Sequence, residues 1–315
     1  MKDKEKNFIS VVLYIHNAES QIEEFLKFIS KVLEENFLKY EIILVNDYST
    51  DKSIDIVKTW TKKDNKSMIN IVNMSYYQGV EVAMNAGMDL AIGDFVYEFD
   101  NLIIDYEENL FFDIYQRSLR GFDIVAALPD SINKERIIKL FYKIYNFSAN
   151  NFNKHRLERE TFRIISRRGI NRVNSLSKTI PYRKILYINC GLPYDSIFYS
   201  PLKHVNKFYD KLQRKNRFNT AINTLILFTD LAYKFTVLIT IILMITTIVT
   251  TCYAVFIYIN KEPVRGWTTS MLFLSISFFG VFLLFSIILK YLSILVDLSF
   301  RKKDYLIESI DKITK

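Results

Sequence analysis

Cysteine is nearly absent from this chain, 2 among 315 residues, and histidine (3) and glycine (8) are also scarce. Cys190 and Cys252 stand far apart, so there is neither a disulfide framework nor a paired-cysteine zinc spacing. His16, His155 and His204 have no metal-ligand spacing, and His16 reads as a packing or hydrogen-bonding residue before it reads as a base. Gly79 and Gly87 do not form the G-x-G-x-x-G turn of a dinucleotide site. No internal repeat and no low-complexity tract is present. The opening MKDKEKN runs straight into a strand-like stretch, so no cleavable signal peptide is expected.

Apolar residues are plentiful. They make up 50% of the chain, and mean hydropathy is slightly positive at +0.08. Two stretches carry no charge, Phe235 to Ile259 and Trp267 to Leu289, and each is long enough as a helix to cross a hydrocarbon core about 30 Å thick. Only Asn260 to Gly266 separate them, which predicts a membrane hairpin. Lys203, Lys207, Lys211, Arg214, Lys215, Arg217 and Lys234 precede the first span, and Arg301, Lys302 and Lys303 follow the second. The excess of positive charge on those flanks predicts that both chain ends are cytoplasmic, in a plasma or inner membrane. Because the basic residues cluster there, the net charge of +8 reads as contact with anionic lipid and not with nucleic acid.

Before the spans, apolar β-branched runs alternate with helical spacing. Strands are expected over Phe8–Ile15, Tyr40–Val45, Ile69–Asn73, Phe95–Phe99 and Phe122–Ala127. Helices are expected over Glu19–Leu33, Asp51–Lys62, Val80–Ile92 and Glu107–Arg120. This alternation predicts an α/β fold with a mostly parallel sheet. Beyond Pro129 the spacing predicts helices over Glu135–Ala149 and Arg168–Ser177, strands over Thr161–Ser166 and Tyr194–Tyr199, and a basic amphipathic helix over Val205–Asp230. A last helix is expected over residues 303–313. The run Phe95–Phe99 ends in Asp100, with Asp105 five residues on. A carboxylate at a strand end can hold a divalent cation or cap the next helix, and this stretch alone fits both.

The segments SVVLYIHNAE (Ser10–Glu19), EIILVNDYSTDKS (Glu41–Ser53), SYYQGVEVAMNAGMDLAIGD (Ser75–Asp94) and RETFRIISRR (Arg159–Arg168) resemble, in that order, motifs of the family 2 inverting glycosyltransferases. With the two spans the whole chain resembles the polyprenyl-phosphate glycosyltransferases. The resemblance implies a Rossmann-like, nucleotide-sugar-binding domain over residues 1–200, a basic juxtamembrane segment over 201–234, two transmembrane helices over 235–299 and a cytoplasmic tail helix over 300–315. It implies a donor site at Asn17, Glu19, Asp47 and Asp100, with Asp47 reading the base of a UDP- or GDP-linked sugar. It implies Mg2+ or Mn2+ at Asp100 and Asp105, with these two and Arg163 as catalytic residues. Arg163, Arg167 and Arg168 would face the acceptor phosphate, although consecutive residues cannot all face one site. Asp47 as a helix cap and Arg163 as an ion-pair partner of Glu158 or Glu160 are the structural alternatives.

The chain departs from the family where polar ligands are expected. The second aspartate of D-x-D is Leu102, the glutamine two places on is Ile104, and Thr161 stands where an aspartate is common. The usual proline and tyrosine of the first motif are Tyr14 and His16. A phosphate acceptor needs no general base, since its second pKa is about 6 and it is largely dianionic near neutrality. The expectation is therefore a membrane-anchored enzyme that moves a sugar onto polyprenyl phosphate, such as undecaprenyl phosphate, in cell-surface glycan synthesis, with a homo-oligomer as a family habit. A catalytically silent relative that binds a nucleotide sugar or a partner subunit is the alternative raised by Leu102 and Ile104.

Overall fold

The computed structural model describes residues 4–63, 68–130, 160–176, 183–202, 231–260, 266–299 and 305–313. Strand and helix alternate as the periodicity predicts: β1 (Glu5–Ile15), α1 (Ile22–Asn36), β2 (Phe37–Asn46), α2 (Ser53–Lys63), β3 (Met68–Met74), α3 (Val80–Leu90), β4 (Phe95–Phe99), α4 (Asn109–Leu119) and β5 (Ile124–Pro129). After them come β6 (Phe162–Ser166), α5 (Arg167–Leu176), α6 (Arg183–Asn189), β7 (Tyr194–Tyr199), α7 (Leu231–Asn260), α8 (Trp267–Ser299) and β8 (Ile307–Ile313). The helices expected over Glu135–Ala149 and Val205–Asp230 lie outside the described residues.

The strands form one sheet in the order β7-β5-β6-β4-β1-β2-β3-β8. Only β6 and β8 run against the rest, so the sheet is mostly parallel. Central strand β1 reads ISVVLYI from Ile9 and is buried along that run, as a strand covered on both faces must be. One face packs α1 through Ile22, Phe25, Leu26, Ile29 and Leu33, each contributing roughly 1.5–3 kcal/mol of transfer free energy before entropy is charged against it. Aromatic rings extend that core: Tyr97 stacks on Phe111 at 3.8 Å and Phe99 on Phe162 at 4.8 Å. On the opposite face α3 lies so close to the sheet that a Cβ at Gly87 would come within 2.5 Å of Val12 and 2.6 Å of Val45.

Residues 307–313 are a strand, not the helix expected over 303–313. Their isoleucines at 307, 310 and 313 mimic helical spacing, but β3 would otherwise leave a row of unpaired N–H and C=O groups at the sheet edge. Antiparallel pairing with β3 satisfies those groups, and tertiary hydrogen bonding overrides the local period.

The chain divides into two compact units, residues 1–223 with 301–315, and residues 224–300. The second is the α7–α8 pair. Val237–Asn260 and Trp267–Leu292 are long and apolar enough to cross a membrane. Small residues line their contact: Thr240, Ala254 and Ser275 are buried, and the Thr250 and Ser275 hydroxyls lie 3.4 Å apart. Ile242, Val249, Phe256, Phe273, Ile276 and Leu284 face outward, a polarity opposite to that of a water-soluble helix pair.

Candidate active site

In a parallel sheet the carboxyl ends of the strands share one edge, and ligands of open α/β folds bind in the crevice outside it. The ends of β1, β2, β3 and β4 and the start of antiparallel β6 lie on that edge. Asn17, Glu19, Asp47, Asp100 and Arg163 belong to it.

Asn17 and Glu19 follow β1 and clasp the loop after β2. The Asn17 side-chain oxygen accepts the Thr50 N–H at 2.9 Å, and a Glu19 carboxylate oxygen accepts the Lys52 N–H at 3.1 Å. In return Asn17 N–H donates to the Ser49 hydroxyl and Glu19 N–H to Asp51. Asn17 and Tyr48 both adopt positive φ, 49° and 57°, a cost that ordinarily marks a functional loop.

Asp47 is fully buried. Its carboxylate accepts the backbone N–H groups of Gln78 at 2.7 Å and Gly79 at 2.8 Å and the Tyr14 hydroxyl at 2.9 Å. Burial raises its pKa above the ordinary aspartate value, and those three donors oppose the shift. Asp47 thus fixes the turn entering α3, and it does not cap the helix at Ser53; there Asp51 accepts the Ser53 N–H at 3.0 Å.

Asp100 collects cations. One carboxylate oxygen accepts Arg163 at 3.0 Å and lies 3.6 Å from the Lys184 ammonium, and the other accepts Arg183 at 3.1 Å. Two residues back, on the same face of β4, Glu98 is wholly buried between Arg163 at 2.7 Å and Arg183 at 2.8 Å. Glu160 holds the third guanidinium nitrogen of Arg163 at 2.6 Å, and Glu81 of α3 accepts the Arg183 N–H at 3.0 Å. Arg163 also lies over the Tyr187 ring at 5.2 Å. Burial alone would lower the pKa of both arginines, but Glu160, Glu98 and Asp100 around Arg163, and Glu98 and Glu81 around Arg183, hold them firmly charged. Burial pushes the Glu81 carboxyl up, against the pull of Arg183. An arginine reaching Glu160 was the structural alternative for Arg163. The pair exists, but it is buried and is one strut of a larger lattice.

The remaining expected residues stand elsewhere. Asp105 accepts the Tyr199 hydroxyl at 2.8 Å, and that hydroxyl is 2.6 Å from Thr161. Arg167 and Arg168 do not converge with Arg163, a correction to the three-arginine phosphate site. They follow the far end of β6, beside the start of β4, where Arg167 binds the carbonyls of Ala91 and Gly93 and exposed Arg168 pairs with Asp123. The antiparallel register sets this: Arg163 faces Glu98 near the carboxyl end of β4, and Ser166 faces Phe95 at its amino end.

A divalent cation is what the resemblance implies at Asp100 and Asp105. Among the described residues no group of three or more His, Cys, Asp or Glu side chains is placed to hold one. Both oxygens of Asp100 bind nitrogen cations, and Leu102, at the second ligand position, is part of the apolar core. In this arrangement the residues do not fit a divalent cation.

Glu81, Glu98, Arg183 and Lys184 were not singled out in the sequence. Glu98 carried a signal, a lone charge inside the apolar run FVYEF, since a buried carboxylate requires a cation partner. Arg183 and Lys184 precede the apolar ILYIN and announce nothing by spacing.

The model of the glycosyl transferase family 2 matches residues 10–179, a stretch that includes Asn17, Asp47, Asp100 and Arg163. The chain belongs to that family. An uncharacterized glycosyltransferase of Synechocystis sp. is 29% identical over 190 residues, 58% of each chain. An undecaprenyl-phosphate 4-deoxy-4-formamido-L-arabinose transferase of Pseudomonas paraeruginosa is 26% identical over 132 residues, 42% of this chain and 38% of that one. The chain thus matches between about two fifths and three fifths of the length of these relatives. Among solved structures, glucosyl-3-phosphoglycerate synthase from Mycobacterium tuberculosis, in complex with Mn2+, UDP and glucosyl-3-phosphoglycerate, superposes with a TM-score of 0.50 at 18% identity, covering 69% of this chain and 79% of that one. That likeness places the sheet and its helices in the same fold.

Proposed function

We propose that this family 2 protein is a glycosyltransferase that moves a sugar from a nucleotide donor onto a polyprenyl phosphate, with inversion at the anomeric carbon, while α7 and α8 anchor it in a membrane. The observation that carries the reading is the cation cluster of Arg163, Arg183 and Lys184 around Asp100 at the carboxyl edge, in a chain that also bears two apolar helices. The nucleoside would lie toward the clasp of Asn17, Glu19 and Asp47, and the diphosphate toward Asp100. In the reaction an acceptor phosphate oxygen forms a bond to the anomeric carbon and the bond to the nucleoside diphosphate breaks. The charge to be stabilised is then that of the departing diphosphate, and the groups able to meet it are Lys184 and the Arg163 and Arg183 nitrogens that hold Asp100, which would exchange that carboxylate for phosphate oxygens; no general base is required. Asp105, through Tyr199 and Thr161, would shape the acceptor side of the same edge.

The strand β8 supports a membrane hairpin. It follows α8 in the chain yet pairs with β3 in the sheet of the first unit, which is compatible with two crossings and not with one. Together with the flanking lysines and arginines, this favours a catalytic domain and both ends in the cytoplasm.

The test is transfer of labelled sugar by the purified protein in detergent. Undecaprenyl phosphate is supplied with a panel of UDP- and GDP-sugars, with Mg2+, Mn2+ or chelator as separate arms. Labelled lipid that vanishes in Lys184→Ala, which removes a cation beside Asp100 and leaves the Arg163 and Arg183 pairs with Glu98 in place, supports the reading. Donor binding without labelled lipid in every arm refutes it and leaves a silent relative.

A further inference from the structure

We propose that the segment following the second apolar helix, Tyr305 to Ile313, is a positioning element of the donor pocket, acting through Gln78 and Asn73. This rests on the donor lying at the carboxyl edge as proposed above. Two polar relays cross from this segment to that edge.

The first runs through Gln78. Its side chain grips the Leu306 peptide in both senses: Nε2 donates to the Leu306 carbonyl at 2.7 Å, and Oε1 accepts the Leu306 N–H at 3.1 Å. Ser75 N–H donates to the same carbonyl at 3.2 Å. The backbone N–H groups of Gln78 and of Gly79 then close on the Asp47 carboxylate. Gly79 sits at φ 86°, a conformation a side-chain-bearing residue would resist, so the turn has no local preference that would hold it without these bonds. The second relay starts at Ser309 and Asp311, which accept from the Asn73 amide at 2.9 and 3.4 Å. Asn73 Oδ1 accepts from Asn46 at 2.9 Å, and Asn46 Oδ1 accepts the Ser49 N–H at 3.0 Å. Ser49 in turn accepts from the Asn17 N–H.

Both relays therefore end on residues of the nucleotide side, Asp47 and Asn17. Tyr305 adds a tether from its hydroxyl to Asp89 of α3 at 2.6 Å. An edge strand needed only to satisfy β3 would require backbone pairing alone. The side-chain grip on a peptide beyond the ladder is what assigns a positioning role.

The experiment measures binding of UDP, and separately GDP, to the full-length protein in detergent by calorimetry, for the parent, Gln78→Ala, Leu306→Pro and the double variant. Hydrogen exchange at the Gly79 amide is read in parallel. Leu306→Pro deletes the N–H that Gln78 accepts while keeping Gln78 itself, and proline is tolerated ahead of an edge strand. Each single variant is expected to raise the dissociation constant about 5-fold and to speed exchange at Gly79, and the double to do no more than the stronger single. Parent-like affinity in both variants overturns the inference while leaving the donor reading intact. So does loss of affinity in Gln78→Ala alone, since Gln78 would then touch the nucleotide itself. A parent that binds neither nucleotide overturns the donor reading and the inference with it.

Discussion

Removing Arg183 tests the cation cluster most severely. Its guanidinium is almost wholly buried and holds Glu98 at 2.8 Å, Asp100 at 3.1 Å, and the carbonyls of Glu81 at 2.6 Å and Val80 at 3.2 Å. Arg183→Met keeps much of the volume and deletes the charge. Glu98 then retains Arg163 but loses one of two partners in a site without solvent, and two carbonyls lose their donor. Breaking a buried pair of this kind costs about 3–5 kcal/mol, because the partner charge stays buried. For a unit of this size each kcal/mol lowers the melting temperature by about 2–4 °C, so a fall of about 6–20 °C is expected. The assay is thermal unfolding of the detergent-solubilised protein at one scan rate, with Glu98→Gln as a companion. Adding Glu98→Gln to Arg183→Met should return at least about 1 kcal/mol, since the amide no longer leaves a half-paired charge. A fall of less than about 3 °C, with no recovery in the double variant, would refute the buried lattice.

Asp47→Asn should cost about 1–3 kcal/mol, because one amide nitrogen must face a backbone N–H of Gln78 or Gly79; urea unfolding with Asp47→Ala for comparison reads it. Gly87→Ala should destabilise by roughly 1–3 kcal/mol as its Cβ meets Val12 and Val45, and Val45→Ala in the same chain should relieve part of that. At Asp123 burial would raise the carboxyl pKa, but hydrogen bonds from Arg168 and Ser166 hold it below the ordinary aspartate value. A depressed folded pKa adds stability above the ordinary value of about 4 and loses it as pH falls through the folded value. The stability gap between parent and Asp123→Asn should therefore be constant near neutrality and shrink in acid below about pH 4. In a background without Cys252, a cysteine replacing Asn260 should react with an impermeant maleimide added outside intact cells, and one replacing Lys312 only after permeabilisation.

Much of this fold was legible because its signals are local. Alternating β-branched and 3.6-period stretches marked every element from β1 to β5 within a few residues, and uncharged length marked α7 and α8. What failed to show was long-range. The isoleucine spacing of 307–313 suggests a helix, and only the open edge of β3 makes it a strand. At the site, motif order brought Asn17, Glu19, Asp47, Asp100 and Arg163 to one edge. No sequence spacing could say that Arg183 and Lys184, some eighty residues past Asp100, would bind it. Nor could spacing separate Arg163 from Arg167: four residues along β6 carry the chain from one sheet edge to the other.

The central claim is where the donor's diphosphate sits, and a structure of the protein with UDP or GDP bound tests it directly. The account predicts the diphosphate outside the carboxyl ends of β1 and β4, within hydrogen-bonding distance of at least one of Arg163, Arg183 and Lys184. A diphosphate held at the opposite edge beside Arg167 and Arg168, with the Asp100 cluster closed and untouched, would contradict it.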